Sequence, residues 1–89
     1  MRRVFFASRF EKKLKVFHSR HPEFSDAVET AVIAIATDPH RPALKTHRLH
    51  GALADCFASR LSREYRIVFV LAADRVTLID IGTHDDVYR

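Results

Sequence analysis

The sequence predicts one small α+β domain of element order β-α-α-β-β-β, with a helical hairpin covering one face of an antiparallel sheet. Three observations carry that expectation. Between Phe10 and Ile35 apolar residues recur with helical period on both sides of Pro22. After residue 55 the chain changes to three short β-rich runs separated by tight turns. Within the middle run, Glu64-Tyr65-Arg66-Ile67-Val68-Phe69-Val70-Leu71, both alternating sets, Tyr65/Ile67/Phe69/Leu71 and Arg66/Val68/Val70, are largely apolar. That pattern marks a central strand covered on both faces, with a polar beginning.

Taken in order, Val4-Phe5-Phe6-Ala7 reads as a first strand. Ser8-Arg9-Phe10-Glu11 has capping-box spacing and should start a helix with Ser8 as its cap. Phe10, Leu14 and Phe17 form that helix's buried stripe, while Lys12, Lys13 and Lys15 stay outside. Pro22 ends it and opens a second helix running to about Thr37, whose stripe is Phe24, Ala27, Val28, Ala31, Val32 and Ile35. So short a linker implies an antiparallel hairpin. From Asp38 to about Ala54 no period survives, and a loop this long in so small a domain is more often functional than idle. Cys56 to Leu61 alternates as a strand, Ser62-Arg63 turns into the central strand, and Val76 to Ile81 is the last strand. A polar tail from Thr83 to Arg89 closes the chain.

Eighty-nine residues make a single domain, residues 1–89, with a thin core. With 47% hydrophobic and 29% charged residues, the composition is that of a globular protein rather than a disordered or membrane one. No apolar run approaches 18 residues and no signal-peptide pattern opens the chain, so a cytoplasmic location is expected. The lone Cys56 excludes an internal disulfide and a cysteine-built zinc site. The net charge of +4 is unevenly spread. Seven Arg or Lys fall in the first twenty residues against Glu11 alone, none falls between His21 and His40, and Arg41, Lys45, Arg48, Arg60, Arg63 and Arg66 follow. Segregation of this kind suggests a cationic face for a polyanion.

In an antiparallel meander the end of one strand lies beside the start of the next. Arg60, Glu64, Tyr65 and His84 are therefore expected at one end of the sheet, with His47 and His50 supplied by the loop and Tyr88 by the tail. Singly, each has an ordinary structural explanation: a loop hydrogen bond for His47, a strand-end cap for His84, a surface ion pair for Arg60 with Glu64. Together they supply what metal-free phosphodiester cleavage requires. One group takes a proton from the attacking hydroxyl, another gives one to the leaving oxygen, and a cation stabilises charge growing on the phosphate. Histidine suits either proton role because it titrates near neutrality. The spacings His47-x-x-His50 and His18-x-x-His21 invite a metal reading, but no Cys or carboxylate stands at a supporting distance in the sequence. No Gly-rich phosphate loop or nucleophile elbow is present.

Three segments then carry a resemblance: His47-Arg48-Leu49-His50-Gly51, Glu64-Tyr65-Arg66-Ile67-Val68-Phe69, and Ile81-Gly82-Thr83-His84-Asp85-Asp86-Val87-Tyr88. At these spacings, over essentially the whole length, the chain resembles toxins of the RelE/ParE superfamily, most of all the RelE and YafQ type of bacterial type II toxin-antitoxin systems. The resemblance implies a microbial-ribonuclease-like domain that cleaves mRNA, commonly on the ribosome, by attack of the ribose 2′-OH on the adjacent phosphate without a metal or other cofactor. It also implies a cognate antitoxin that wraps the toxin, with operator DNA engaged only through that antitoxin. By position, His47 and His84 match the catalytic histidines of YafQ-like toxins. Glu64 matches their acidic residue, and Tyr65 and Tyr88 match aromatic positions. Arg60 departs from YafQ-like members, which carry a histidine at this position, and stands where RelE-like members place an arginine that stabilises the phosphate, so the pattern is mixed. The resemblance thus points to His47, Arg60, Glu64 and His84 for catalysis and to Lys45, Arg48, His50, Arg63, Tyr65, Arg66 and Tyr88 for RNA binding. Two other functions share this fold: inhibition of DNA gyrase in the manner of ParE, and an inactive regulatory relative. ParE-type chains usually lack the two histidines.

Overall fold

The computed structural model describes residues 1–88; Arg89, which closes the polar tail, lies outside the described residues. The chain forms β1 (Arg3–Phe6), α1 (Ser8–Arg20), a 3₁₀ turn (Pro22–Phe24), α2 (Ser25–Thr37), β2 (His47–Arg48), β3 (Phe57–Arg60), β4 (Tyr65–Leu71), β5 (Arg75–Thr83) and a one-turn helix α3 (His84–Val87). The α+β class expected from the sequence is the class observed. The five strands lie in the order β1-β5-β4-β3-β2. β1 runs parallel to β5 and every other pairing is antiparallel.

The principal core lies between the helices and one face of the sheet. Phe10 and Phe17 of α1, with Val28, Ala31, Ile35 and Ala36 of α2, pack on Ile67, Phe69, Val76, Leu78 and Ile81. Rings of Phe57 and Phe69 stack at 6.1 Å between centroids beneath them. The α1 stripe is as its spacing predicts. On α2, Ala27 is exposed and Ala36 takes a buried place instead. Pro22 does not open α2 directly, because it heads a separate 3₁₀ turn that changes the chain's direction. The two helices border an apolar hollow of about 400 Å³ lined by Phe6, Phe10, Leu14, Val28 and Ile33.

The opposite, outer face has a second, smaller core. Leu49, Cys56, Ala58, Val68 and Val87 are buried there, with Leu53, Val70, Ile79 and Tyr88 packed around them. This cover comes from segments in which the sequence showed no period: the 47–53 segment, including a 3₁₀ turn at Gly51–Leu53, and the C-terminal α3. Burial raises the pKa of the Cys56 thiol, and the charge of Asp55 adds to the rise.

An irregularity in β5 governs which residues reach each face. Val68 pairs with Asp80 but its neighbour Phe69 pairs with Leu78, leaving Ile79 as an extra residue, a β-bulge. Strict alternation from Val76 and Leu78 would drive Asp80 into the principal core. The bulge instead places Ile81 there and turns Asp80 outward, where Arg9 and Lys13 of α1 meet its carboxylate at 3.3 and 3.5 Å. Asp80 also accepts a hydrogen bond from the Ile81 amide at 2.9 Å.

The capping box expected at Ser8 does not form: the chain enters α1 with Ala7 as the cap residue and no side-chain bond. A capping box forms instead at the other end of the chain. Thr83 Oγ1 accepts from the Asp86 amide at 3.2 Å and the Asp86 carboxylate accepts from the Thr83 amide at 3.3 Å. This holds α3 down on Gly82, where an added Cβ would lie 3.0 Å from Asp86 Cβ and 3.2 Å from its Oδ2. Gly82→Ala is therefore expected to lower stability by about 1–3 kcal/mol through overpacking, read as a shift of the urea midpoint with unchanged slope.

Candidate active site

Loop and tail converge over the outer face at the Thr83 end of β5. A hollow of about 320 Å³ is lined by His47, Arg48, Leu49, His50, Leu53, His84 and Tyr88. Two short-range constraints bring His47 to it. Thr46 and Ser59 share a hydroxyl hydrogen bond of 2.6 Å that ties the loop to β3, and Lys45 adopts a left-handed backbone (φ 49°) just before β2. His84 enters as the first residue of α3, immediately after the capping threonine.

Tyr88 lies between the two histidines. Its hydroxyl is 3.0 Å from His47 Nε2, and its ring meets the His84 ring edge-on at 4.1 Å between centroids. His47 Nδ1 is 3.3 Å from the carbonyl oxygen of Lys45, which can only accept a proton. The neutral ring therefore carries its hydrogen on Nδ1, and Nε2 accepts from the Tyr88 hydroxyl. His47 thus turns a basic nitrogen into the hollow. His84 Nδ1 is 3.6 Å from Asp85 Oδ1. Burial raises the pKa of Tyr88, and the nearby positive charge of Arg66 opposes that rise.

Two arginines flank this group. Arg60 and Arg66 are direct partners across β3 and β4, so both lie on the face that also carries His47, which is paired with Ala58. Directly opposed like charges destabilise a sheet, and neither arginine forms an ion pair with a described residue. Arg66 Nη1 donates to the carbonyls of Ser62, Tyr65 and Arg63 at 2.9, 3.0 and 3.3 Å, which anchors one side of its guanidinium on the turn.

Other expected site residues go elsewhere. Tyr65 is at the right end of the sheet but on the opposite face. It packs edge-on against Phe17 and Phe24, and its hydroxyl is 3.1 Å from His21 Nε2, because it shares the strand parity of Ile67 and Phe69. Arg48 pairs with Phe57 and lays its guanidinium over that ring at 5.2 Å, so its charge leaves the face that His47 occupies. Glu64 is exposed in the turn before β4 and bonds to no described side chain; Lys45 and Arg63 are also exposed. His50 is exposed at the rim of the hollow. His18 and His21 do not share a ligand position, since His18 faces Ser25 at 3.4 Å while His21 holds Tyr65. Among the described residues no group of three or more His, Cys, Asp or Glu could hold a metal ion. Sequence reasoning missed the capping pair Thr83 and Asp86, although the spacing Thr-x-x-Asp is a legible signal.

The fold is the one seen in solved structures of YafQ and YoeB toxins. The particular structures that it matches are those of YafQ from E. coli strain BL21(DE3), at a TM-score of 0.86 with 14% identity over 100% of both chains. The E. coli DinJ-YafQ toxin-antitoxin complex matches at 0.83 with 17% identity over 99% of this chain and 98% of that one. A metal-bound toxin from Helicobacter pylori matches at 0.81 with 24% identity over 97% and 98%. No protein-family profile and no curated protein sequence matches the chain.

One consequence of the site is spectroscopic. The difference between ultraviolet titrations of the wild type and Tyr88→Phe should isolate a phenol with a midpoint above the ordinary value of 10. The folded phenol holds its proton longer than the unfolded one, so its contribution to stability is intact below the unfolded value and lost as pH rises through the folded one. Tyr88→Phe should accordingly lose stability less steeply in that alkaline window.

Proposed function

We propose that this chain is the toxin of a type II toxin-antitoxin system and acts in the cytoplasm as an mRNA endoribonuclease, engaging its substrate on the ribosome. The observation that carries the reading is the convergence of His47, His84 and Tyr88 beside the opposed Arg60 and Arg66. An RNA phosphate supplies the counter-charge that this pair of strand partners lacks, since neither forms an ion pair with a described carboxylate.

In this mechanism His47 Nε2 takes the proton of the ribose 2′-OH. The 2′-oxygen attacks the adjacent phosphorus, the bond to the 5′-oxygen breaks, and His84 delivers the proton that this leaving oxygen needs. The products are a 2′,3′-cyclic phosphate and a free 5′-hydroxyl. Arg60 and Arg66 stabilise the charge on the non-bridging oxygens. Tyr88 orients His47 in the free protein and offers its ring to a base once RNA is bound. Glu64, exposed ahead of Arg66, orients the bound strand or assists as a base, and Lys45, His50 and Arg63 extend the cationic rim. The chemistry needs no cofactor. The partner is a cognate antitoxin, supported by the likeness to YafQ, which the DinJ-YafQ structures hold in complex with its antitoxin. Operator DNA is reached only through that partner.

Induced expression in bacteria should arrest growth and truncate transcripts. His47→Ala and His84→Ala should each slow cleavage by about 100- to 10,000-fold, as for loss of a general acid or base, while circular dichroism stays unchanged. Intact mRNA during arrest would sink the reading. Gyrase inhibition that survives His84→Ala would assign the chain to the ParE activity instead.

A further inference from the structure

Far from the hollow, the same outer face carries a second pair of opposed arginines. Arg3 of β1 and Arg75 of β5 are direct partners across the parallel pairing. Between them lies the ring of Phe5, 42% exposed, with the Arg3 guanidinium 5.4 Å and the Arg75 guanidinium 6.0 Å from its centroid. Phe5 is of the strand parity opposite to Val4 and Phe6, which face the helices. It therefore stands on the face of His47, Arg60 and Arg66.

An exposed phenylalanine on an edge strand is a liability in a monomer. Two cations held over it add like-charge repulsion, offset at this corner by Asp74, which meets Arg75 at 3.4 Å. Aromatic rings beside arginines are what single-stranded nucleic acid binds: a base stacks on the ring and its phosphates meet the cations. Charge complementarity favours that occupant, since the guanidinium groups of Arg3 and Arg75 both stand at the ring and, among the described residues, Asp74 on Arg75 is the acid paired with them.

The corner is connected to the hollow. Leu53 forms a wall both of the hollow and of a neighbouring dent lined by Arg9, Val68, Ile79, Val87 and two carboxylates, Asp80 and Asp86. Ile79 is two residues along β5 from Thr77, the partner of Phe5. Asp80 in that dent is neutralised by Arg9 and Lys13. From Thr83 to Thr77 the strand covers roughly 20 Å, at about 3.3 Å per residue, a distance that several nucleotides of extended chain can span.

We infer that Arg3, Phe5 and Arg75 form a distal subsite that stacks one base of the same single-stranded RNA whose scissile phosphate lies at Arg60 and Arg66. This rests on the RNA-cleaving reading for the identity of the strand, but it concerns binding alone and is tested without cleavage.

The test is fluorescence anisotropy of the full chain with 2′-O-methyl oligouridylates, which lack an attacking hydroxyl. One oligonucleotide is too short to reach from the hollow to Phe5; the other, roughly 10 nucleotides, falls within the site size usual for single-strand binders. Phe5→Ala is expected to weaken the long strand roughly tenfold or more and to leave the short one unchanged, with Phe5→Trp restoring affinity. Because Phe5 is half exposed, thermal melting should move little. If Phe5→Ala does unfold the chain, Phe5→Leu keeps the apolar contact and lacks the ring. Replacing Arg3 and Arg75 together by Ala should reduce the salt slope for the long strand by about 1.4, at roughly 0.7 for each phosphate that a cation no longer neutralises.

Equal affinity of wild type and Phe5→Ala for the long strand overturns the inference, as does an equal loss for both lengths or no binding by the wild type. A Phe5→Ala effect on self-association in sedimentation, with oligonucleotide affinity unmoved, would mark the corner as a protein contact and overturn it too. The cleavage reading fails separately, on intact transcripts.

Discussion

One extra residue in β5, Ile79, decides what the outer face of this protein presents. Upstream of it Val76 and Leu78 point to the helices; downstream Ile81 takes over that role, and Asp80 and Gly82 turn outward. Without the shift a carboxylate would enter the apolar core, at a desolvation cost of several kcal/mol that no nearby cation could offset there. With it, Gly82 stands on the outer face beside Arg66, and its missing side chain admits α3. Position of the bulge, approach of α3 and direction of His84 are thus one linked geometry.

A second requirement completes the site. Val68 and Ala58 are apolar residues on the face opposite the principal core, and they must still be covered. The loop through Leu49 and the tail through Val87 cover them from two sides. Burial of an apolar patch therefore draws together His47, one residue before Arg48 and two before Leu49, and Tyr88, one residue after Val87. The polar constellation occupies the rim of the small core that anchors it. Neither of its arginines forms an ion pair with a described residue.

Much of this was legible in the sequence, and the failures have physical causes. The double apolar parity of β4 signals a strand covered twice, and the α1 stripe of Phe10, Leu14 and Phe17 reads directly as buried. The register pairs Arg60 with Arg66 and Arg66 with Gly82, two residues before His84, which is the end of the sheet the meander predicts. Parity also contained the correction for Tyr65: it belongs with Ile67 and Phe69, so nearness along the sheet did not mean the same face. Arg48 and His47 differ for the same reason. β2 is two residues long and has no period to detect, while the parallel pairing of β1 depends on a contact some 70 residues away in sequence. The capping signature at Ser8 did not close, because the chain enters α1 one residue earlier at Ala7, whereas that at Thr83 did, where Gly82 allows Asp86 to approach.

The central claim is that Arg60 and Arg66 are held opposite one another to receive an anion. Thermal melting of Arg60→Leu at low salt, with and without a saturating noncleavable oligonucleotide, tests it most directly. The account predicts that the free variant melts above the wild type, because a like-charge pair has been removed, and that the oligonucleotide raises its melting temperature far less. A free variant that melts below the wild type, or one stabilised by the oligonucleotide as strongly as the wild type, would contradict it.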